Sequence, residues 1–239
     1  MCKKILITGG SRGIGAECVR AFSGNGNRVA FVYRSSDAEA EQLSRLTGAA
    51  AIKADISIEA EAIRAFNEAV AYLGGIDVLV NNAGVSLYAC FDEVDGYRWS
   101  QLIDTNLSSC FYMSRIASGL MVSQKSGRII NIGSVWGRVG AACEVHYSAT
   151  KAAIRGMTRA LAKELGPSGI TVNCIEPGVI KTDMLNSFSD EDVNALAEET
   201  PLGRIGSVRD VAALVCFLSS DAASFITGQC IGVDGGFGQ

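Results

Sequence analysis

The chain has 239 residues, 48% of them hydrophobic, and a formal net charge of −4. That length supports one well-buried core, so a single catalytic domain over 1–239 is expected, and the mildly acidic balance argues against a nucleic-acid footprint or attraction to anionic membranes. No apolar run approaches the roughly 18 residues of a spanning helix, and charge returns at Arg12 with no cleavage-type site behind it, so a soluble cytoplasmic protein is expected.

Residues 3–8 form a buried-strand pattern that runs into Thr8-Gly9-Gly10-Ser11-Arg12-Gly13-Ile14-Gly15, and a helical pattern follows through Phe22. A glycine-rich turn between the first strand and the first helix lets backbone N–H groups approach a pyrophosphate at the helix's positive end. A second strand, 28–33, ends in Tyr33-Arg34-Ser35-Ser36 with no carboxylate at its tip. A carboxylate there binds the ribose 2′-hydroxyl of NAD, whereas arginine accommodates a 2′-phosphate. Arg34, with Arg12 as a second cation, therefore points to NADP(H), and Asp37 is the one acid close enough to argue for NAD.

The pattern repeats: a helix at 37–46, a strand at 49–54 ending in Asp55-Ile56, a helix at 59–73, and a strand at 76–80 closed by Asn81-Asn82-Ala83-Gly84. Alternating strands and helices predict a parallel sheet covered on both faces, with ligands at the carboxyl ends of the strands. Asp55 and Ile56 fall where adenine would lie, and Asn82, Ala83 and Gly84 where its ribose would. Two helical stretches over 97–123 contain Asn106 within the first. A strand at 128–132 then delivers Ser134, a helix runs over 144–165, and a strand at 170–174 leads to Glu176-Pro177-Gly178-Val179-Ile180-Lys181-Thr182. Residues 183–204 are polar and mixed, with Ser189-Asp190-Glu191 marking a helix start, and form either a lid over the substrate or a plain surface loop. A helix at 208–218 and a strand at 230–233 close the chain.

Tyr147 and Lys151 stand four residues apart on a predicted helix, so both project from one face about 5–6 Å apart at Cβ. An ammonium beside a phenol favours the phenolate, which predicts a Tyr147 pKa below its ordinary value of about 10. Tyr147 is then a proton donor, and the Ser134 hydroxyl grips the same substrate oxygen. His146 is the only histidine; one residue from Tyr147 it cannot share that face, and a structural or pocket-rim role is expected. The eight cysteines show neither zinc nor disulfide spacing, and most are expected as small reduced core residues.

Taken together, Thr8-Gly9-x-x-x-Gly13-x-Gly15, Asn82-Ala83-Gly84, Asn106, Ser134, Tyr147-x-x-x-Lys151 and Pro177-Gly178 resemble the short-chain dehydrogenase/reductase family in order and spacing across the whole chain. The resemblance implies a Rossmann-type, doubly wound sheet of seven parallel strands and a tetrad of Asn106, Ser134, Tyr147 and Lys151. It also implies that Lys151 bonds the nicotinamide ribose, that Asn106 holds a proton-relay water, that Ile180 and Thr182 anchor the carboxamide, and that the protein is a homotetramer. Ser11-Arg12, 170–173, 201–204, 226–229 and 233–236 look most like bacterial 3-oxoacyl-acyl-carrier-protein reductases, which act on a ketone tethered to a carrier protein; Ser168 stands where that subgroup commonly has a basic residue. A second likeness, in Ser134-Val135-Trp136-Gly137 and Cys143-Glu144-Val145, is to reductases of a 5-aminopentanone group on translation elongation factor P. In that reading Glu144 meets a substrate ammonium; otherwise it is a helix-start acid. The candidate substrate wall is Ser86, Trp136, Glu144 and Val179, and a non-catalytic NADP sensor is the alternative from another class.

Overall fold

In the computed structural model, which describes residues 2–185 and 189–238, seven parallel strands form one sheet in the order β3-β2-β1-β4-β5-β6-β7. They are β1 (Lys4–Thr8), β2 (Arg28–Tyr33), β3 (Ala50–Lys53), β4 (Val78–Asn81), β5 (Gly127–Ile132), β6 (Ile170–Pro177) and β7 (Cys230–Val233). Alternation decides which face each side chain serves. Ile5 and Ile7 of β1 pack with Val19, Phe22 and Val215 on one side, while Leu6 between them packs with Phe66, Leu73 and Met113 on the other. Such strands, buried on both faces, read as continuous apolar runs.

The helices are α1 (Gly13–Gly24), α2 (Asp37–Thr47), α3 (Glu59–Leu73), α4 (Gly96–Ile103), α5 (Ser109–Gln124), α6 (Trp136–Val139), α7 (Val145–Leu165), α8 (Asp190–Glu199) and α9 (Val208–Leu218). The buried residues of α7 include Tyr147, Lys151, Ile154, Thr158, Ala162 and Leu165, spaced by three or four, so one stripe of the helix faces the sheet. No helix among the described residues is long and apolar enough to cross a membrane.

Several boundaries depart from expectation for identifiable reasons. β6 runs on to Pro177, with all eight residues buried, because hydrogen bonds to its neighbours continue beyond Cys174. Asn106 lies not within a regular helix but in a π-helical turn, Asp104–Ser108, between α4 and α5; such turns are frequent at functional sites. In the 183–204 segment the expected helix start is present, with Ser189 capping α8 by accepting from the Asp192 N–H, and residues 186–188 lie outside the described residues. The expectation that most cysteines are core residues fails: only Cys18, Cys110 and Cys174 of the eight are buried. A wide spacing along the chain says nothing about which loops carry them.

The chain moves outward from β1 through β2 and β3, then returns to β4 on the other side of β1. The carboxyl ends of β1 and β4 flank that reversal, where doubly wound sheets bind ligands.

Candidate active site

At this reversal the turn after β4 is laced to the turn after β1. Thr8 Oγ1 accepts from the Asn82 and Ala83 N–H groups at 3.0 Å each, and Asn82 Nδ2 donates to the Thr8 and Gly9 carbonyls at 3.0 and 2.9 Å. A Cβ on Gly15 would lie 2.2 Å from the Gly9 carbonyl oxygen, so only glycine lets α1 begin this close to the turn. Arg12 caps α1 without a side-chain hydrogen bond, and no acid occupies the first turn. The first N–H groups of α1 are thus left for an anion. A cleft of about 540 Å³ runs from there to Tyr147, Pro177 and Thr182, a size and donor set that fit a dinucleotide.

Every sequence-predicted site residue lines this cleft except Gly15 and Asn106. Gly15 acts through the close contact just described. Asn106 stands fully buried behind the wall, its Oδ1 accepting from the Val85 N–H at 2.8 Å and its Nδ2 donating to the Val85 carbonyl at 2.9 Å and to Thr150 Oγ1 at 3.2 Å. It thereby clamps Gly84 and Val85, and a Cβ on Gly84 would sit 3.3 Å from Asn106 Oδ1 and 3.5 Å from Lys151 Nζ.

Toward β2 and β3 the cleft wall carries Arg12, Arg34, Ser35 and Asp55. Arg34 pairs with Asp55 at 3.7 Å and Arg12 with Asp183 at 3.1 Å, both guanidinia being more than half exposed. Asp55 also accepts from the Ser57 hydroxyl at 2.6 Å. Asp37 does not line the cleft; at the start of α2 it pairs with Lys53 at 2.7 Å, which holds its carboxyl below the ordinary range.

Ser134 follows β5, whose end is tied to β6 by the Gly133 N–H donating to the Ile175 carbonyl at 2.7 Å and the Val135 N–H to the Pro177 carbonyl at 2.9 Å. α6 then packs on α7 so closely that a Cβ on Gly137 would lie 2.6 Å from the Lys151 carbonyl carbon. This packing brings Ser134, Tyr147 and Lys151 together, each 9% exposed or less. Lys151 Nζ donates to the Ile132 carbonyl at 2.9 Å and stands 5.5 Å from the Tyr147 ring centre.

The ionisation is opposite to the sequence expectation. Burial pushes the Tyr147 phenol up to about 12, the Ser134 hydroxyl draws it partly back, and the Glu144 carboxylate adds to the rise. Burial also pulls Lys151 below its ordinary range. Spacing along a helix reports proximity; it does not report desolvation, which is the largest cause of the rise here.

Glu144 is the N-cap of α7, yet its side chain makes no capping bond. It turns into the cleft and accepts from Ser86 Oγ at 2.7 Å, and burial raises its pKa. His146, 2% exposed, donates from Nε2 to the Leu87 carbonyl at 2.6 Å, which gives it a structural role. Tyr88, 72% exposed, also lines the cleft and was missed from sequence because the segment after Gly84 carries no periodic signal.

A family model described as enoyl-(acyl carrier protein) reductase matches residues 9–238. The chain belongs to the short-chain dehydrogenase/reductase family. It is 40% identical to acetoacetyl-CoA reductase of Shinella zoogloeoides, the alignment covering 99% of this chain and 98% of that one. It is 39% identical to 3-oxoacyl-[acyl-carrier-protein] reductase FabG of Staphylococcus aureus over the same shares. Among solved structures, a double mutant of a Serratia marcescens short-chain dehydrogenase/reductase superposes with a TM-score of 0.92 at 35% identity, covering 99% of this chain and 98% of that one. As an oxidoreductase of the short-chain dehydrogenase/reductase family, the protein binds a nicotinamide cofactor in its Rossmann-type sheet.

Proposed function

We propose that the protein reduces a ketone to a secondary alcohol with NADPH, and that its substrate is a 3-oxoacyl thioester carried by acyl carrier protein. The observation that carries the reading is the convergence of Tyr147, Ser134 and Lys151 in one buried corner of the cleft. The two curated relatives are named for 3-ketoacyl thioesters.

Gly9, Ser11, Arg12, Gly13 and Ile14 would hold the pyrophosphate, Asp55 and Ile56 the adenine, Asn82, Ala83 and Gly84 its ribose, and Pro177, Gly178, Ile180 and Thr182 the nicotinamide end. A bound reduced nicotinamide supplies the hydride. Tyr147 gives its proton to the developing alkoxide, and the Ser134 hydroxyl donates to the same oxygen, a role commonly contributing about 100- to 10,000-fold for the proton transfer. A phenol that stays protonated in the free protein is the right starting state for reduction. Lys151 would bond the cofactor ribose and steady the phenolate once the proton has gone. Asn106 keeps Val85 and Gly84 against that corner. Arg34 and Arg12 support NADP over NAD, since each guanidinium is more than half exposed and can exchange its carboxylate for a 2′-phosphate.

A second reading rests on Glu144. A desolvated carboxylate turned into the cleft, rather than bonded to the helix start, suits a cationic amino ketone such as the 5-aminopentanone group on elongation factor P. Turnover of NADPH with acetoacetyl thioesters and with amino ketones separates the two. Faster reduction of the amino ketone would displace the thioester reading, and no turnover with either would leave a nucleotide sensor.

The α5 surface exposes Phe111, Leu120 and Val122, and α7 exposes Val145, which supports assembly of copies through these helices into a homotetramer. A monomer in light scattering would refute it.

A further inference from the structure

We infer that Cys90 and Cys143 form a dithiol that an oxidant closes to a disulfide beside the substrate cleft. The two residues are 53 apart in sequence, yet their Sγ atoms lie 3.8 Å from one another. The backbones are already joined next to them, the Ala89 N–H donating to the Cys143 carbonyl at 2.9 Å. A disulfide needs about 2.05 Å between the sulfurs, and rotation of the exposed Cys90 side chain supplies that closure. Cys143 holds φ at 57°, in the left-handed region that favours glycine, one residue before Glu144 and one helical turn before Tyr147. A side chain kept at such a position is a reason to look for its use.

The bond would staple two parts of the cleft wall. Tyr88 lies two residues before Cys90 and Glu144 follows Cys143, and both line the cleft. Ser86 and Leu87 already reach across to Glu144 and His146 by hydrogen bonds, so a covalent link would convert a polar seam into a fixed one.

With hydrogen peroxide as oxidant, the Cys90 thiolate attacks one peroxide oxygen, the O–O bond breaks, and sulfenic acid and water result. Cys143 sulfur then attacks the Cys90 sulfur and expels a second water. Two electrons pass from the thiols to peroxide, and the S–S bond replaces two S–H bonds. The hydrogen bond from its neighbour and the charges of Glu93 and Asp92 hold the Cys90 thiol above its ordinary range, which makes the first step slow. Cys174 and Cys230 are also paired across β6 and β7, but Cys174 is fully buried within the sheet.

The full chain is treated with hydrogen peroxide, alkylated and mapped by mass spectrometry without reduction. A peptide pair joining Cys90 to Cys143, lighter by two hydrogens, reversed by dithiothreitol and absent from Cys90→Ser and Cys143→Ser, is expected. Amide hydrogen exchange over residues 85–90 should slow in the linked protein. Cys90 advancing to sulfinic acid with Cys143 still alkylated, or a link that leaves that exchange unchanged, would overturn the inference. Neither measurement needs a substrate, so its failure is distinct from failure of the reductase reading.

Discussion

The two ends of the cleft hold charge in opposite ways. Toward β2 and β3, Arg12 and Arg34 are more than half exposed and each is paired with a carboxylate. Toward α7, Tyr147 and Lys151 are buried, and burial has moved both pKa values in the direction that favours the neutral form. Exposed pairs contribute roughly 0–1 kcal/mol and exchange partners easily, whereas desolvation decides which proton a buried group keeps. In the proposed reaction the first end would accept an anion and the second would deliver a proton.

The largest test of that contrast is Tyr147→Phe. Ketone reduction, followed by cofactor absorbance, should fall about 100- to 10,000-fold while NADPH affinity, read by fluorescence, holds; an unchanged rate breaks the contrast outright. Next comes Gly15→Ala, whose Cβ meets the Gly9 carbonyl. It should cost about 1–3 kcal/mol in thermal unfolding and abolish tight cofactor binding, an effect of backbone shape rather than of charge.

Arg34→Ala should weaken NADPH binding by about tenfold, the low end for a charge-assisted hydrogen bond because Arg34 must release Asp55, and should leave NADH binding unaltered. Equal losses for both cofactors would remove the 2′-phosphate argument. The smallest effect is expected at Glu144. Its raised pKa means that any preference for a cationic ketone is present above that pKa and declines as pH falls through it, earlier than for an ordinary glutamate. Glu144→Gln should lower that preference by roughly fivefold at most and flatten its dependence on pH, measured as a ratio of kcat/KM values.

Much of the site was legible before any contact was known. The glycine turn, Asn82 to Gly84, Tyr147 with Lys151, and Pro177-Gly178 each sit at a strand end or on one helix face, and local periodicity places them there. The sequence pattern places Asn106 on a helix, but its π turn and its grip on Val85 depend on a loop 21 residues away. Tyr88 escaped notice because nothing periodic surrounds it.

By itself, the sequence determined the alternation of seven strands with the longer helices, though not α6 or the end of β6, because turn chemistry and side-chain spacing act over a few residues. Only the tertiary structure decided what those residues carry. Ser86 meets Glu144 across 58 residues, Cys90 meets Cys143 across 53, and strand pairing brings Cys174, Glu176 and Cys230 to within 4.8 Å where no local spacing announced a cluster. There both Glu176 oxygens accept from Arg155 Nη1, at 2.7 and 2.8 Å. Protonation belongs to the same class: the state of Tyr147 follows from the water that packing excludes, and the spacing of two side chains along a helix does not encode that exclusion.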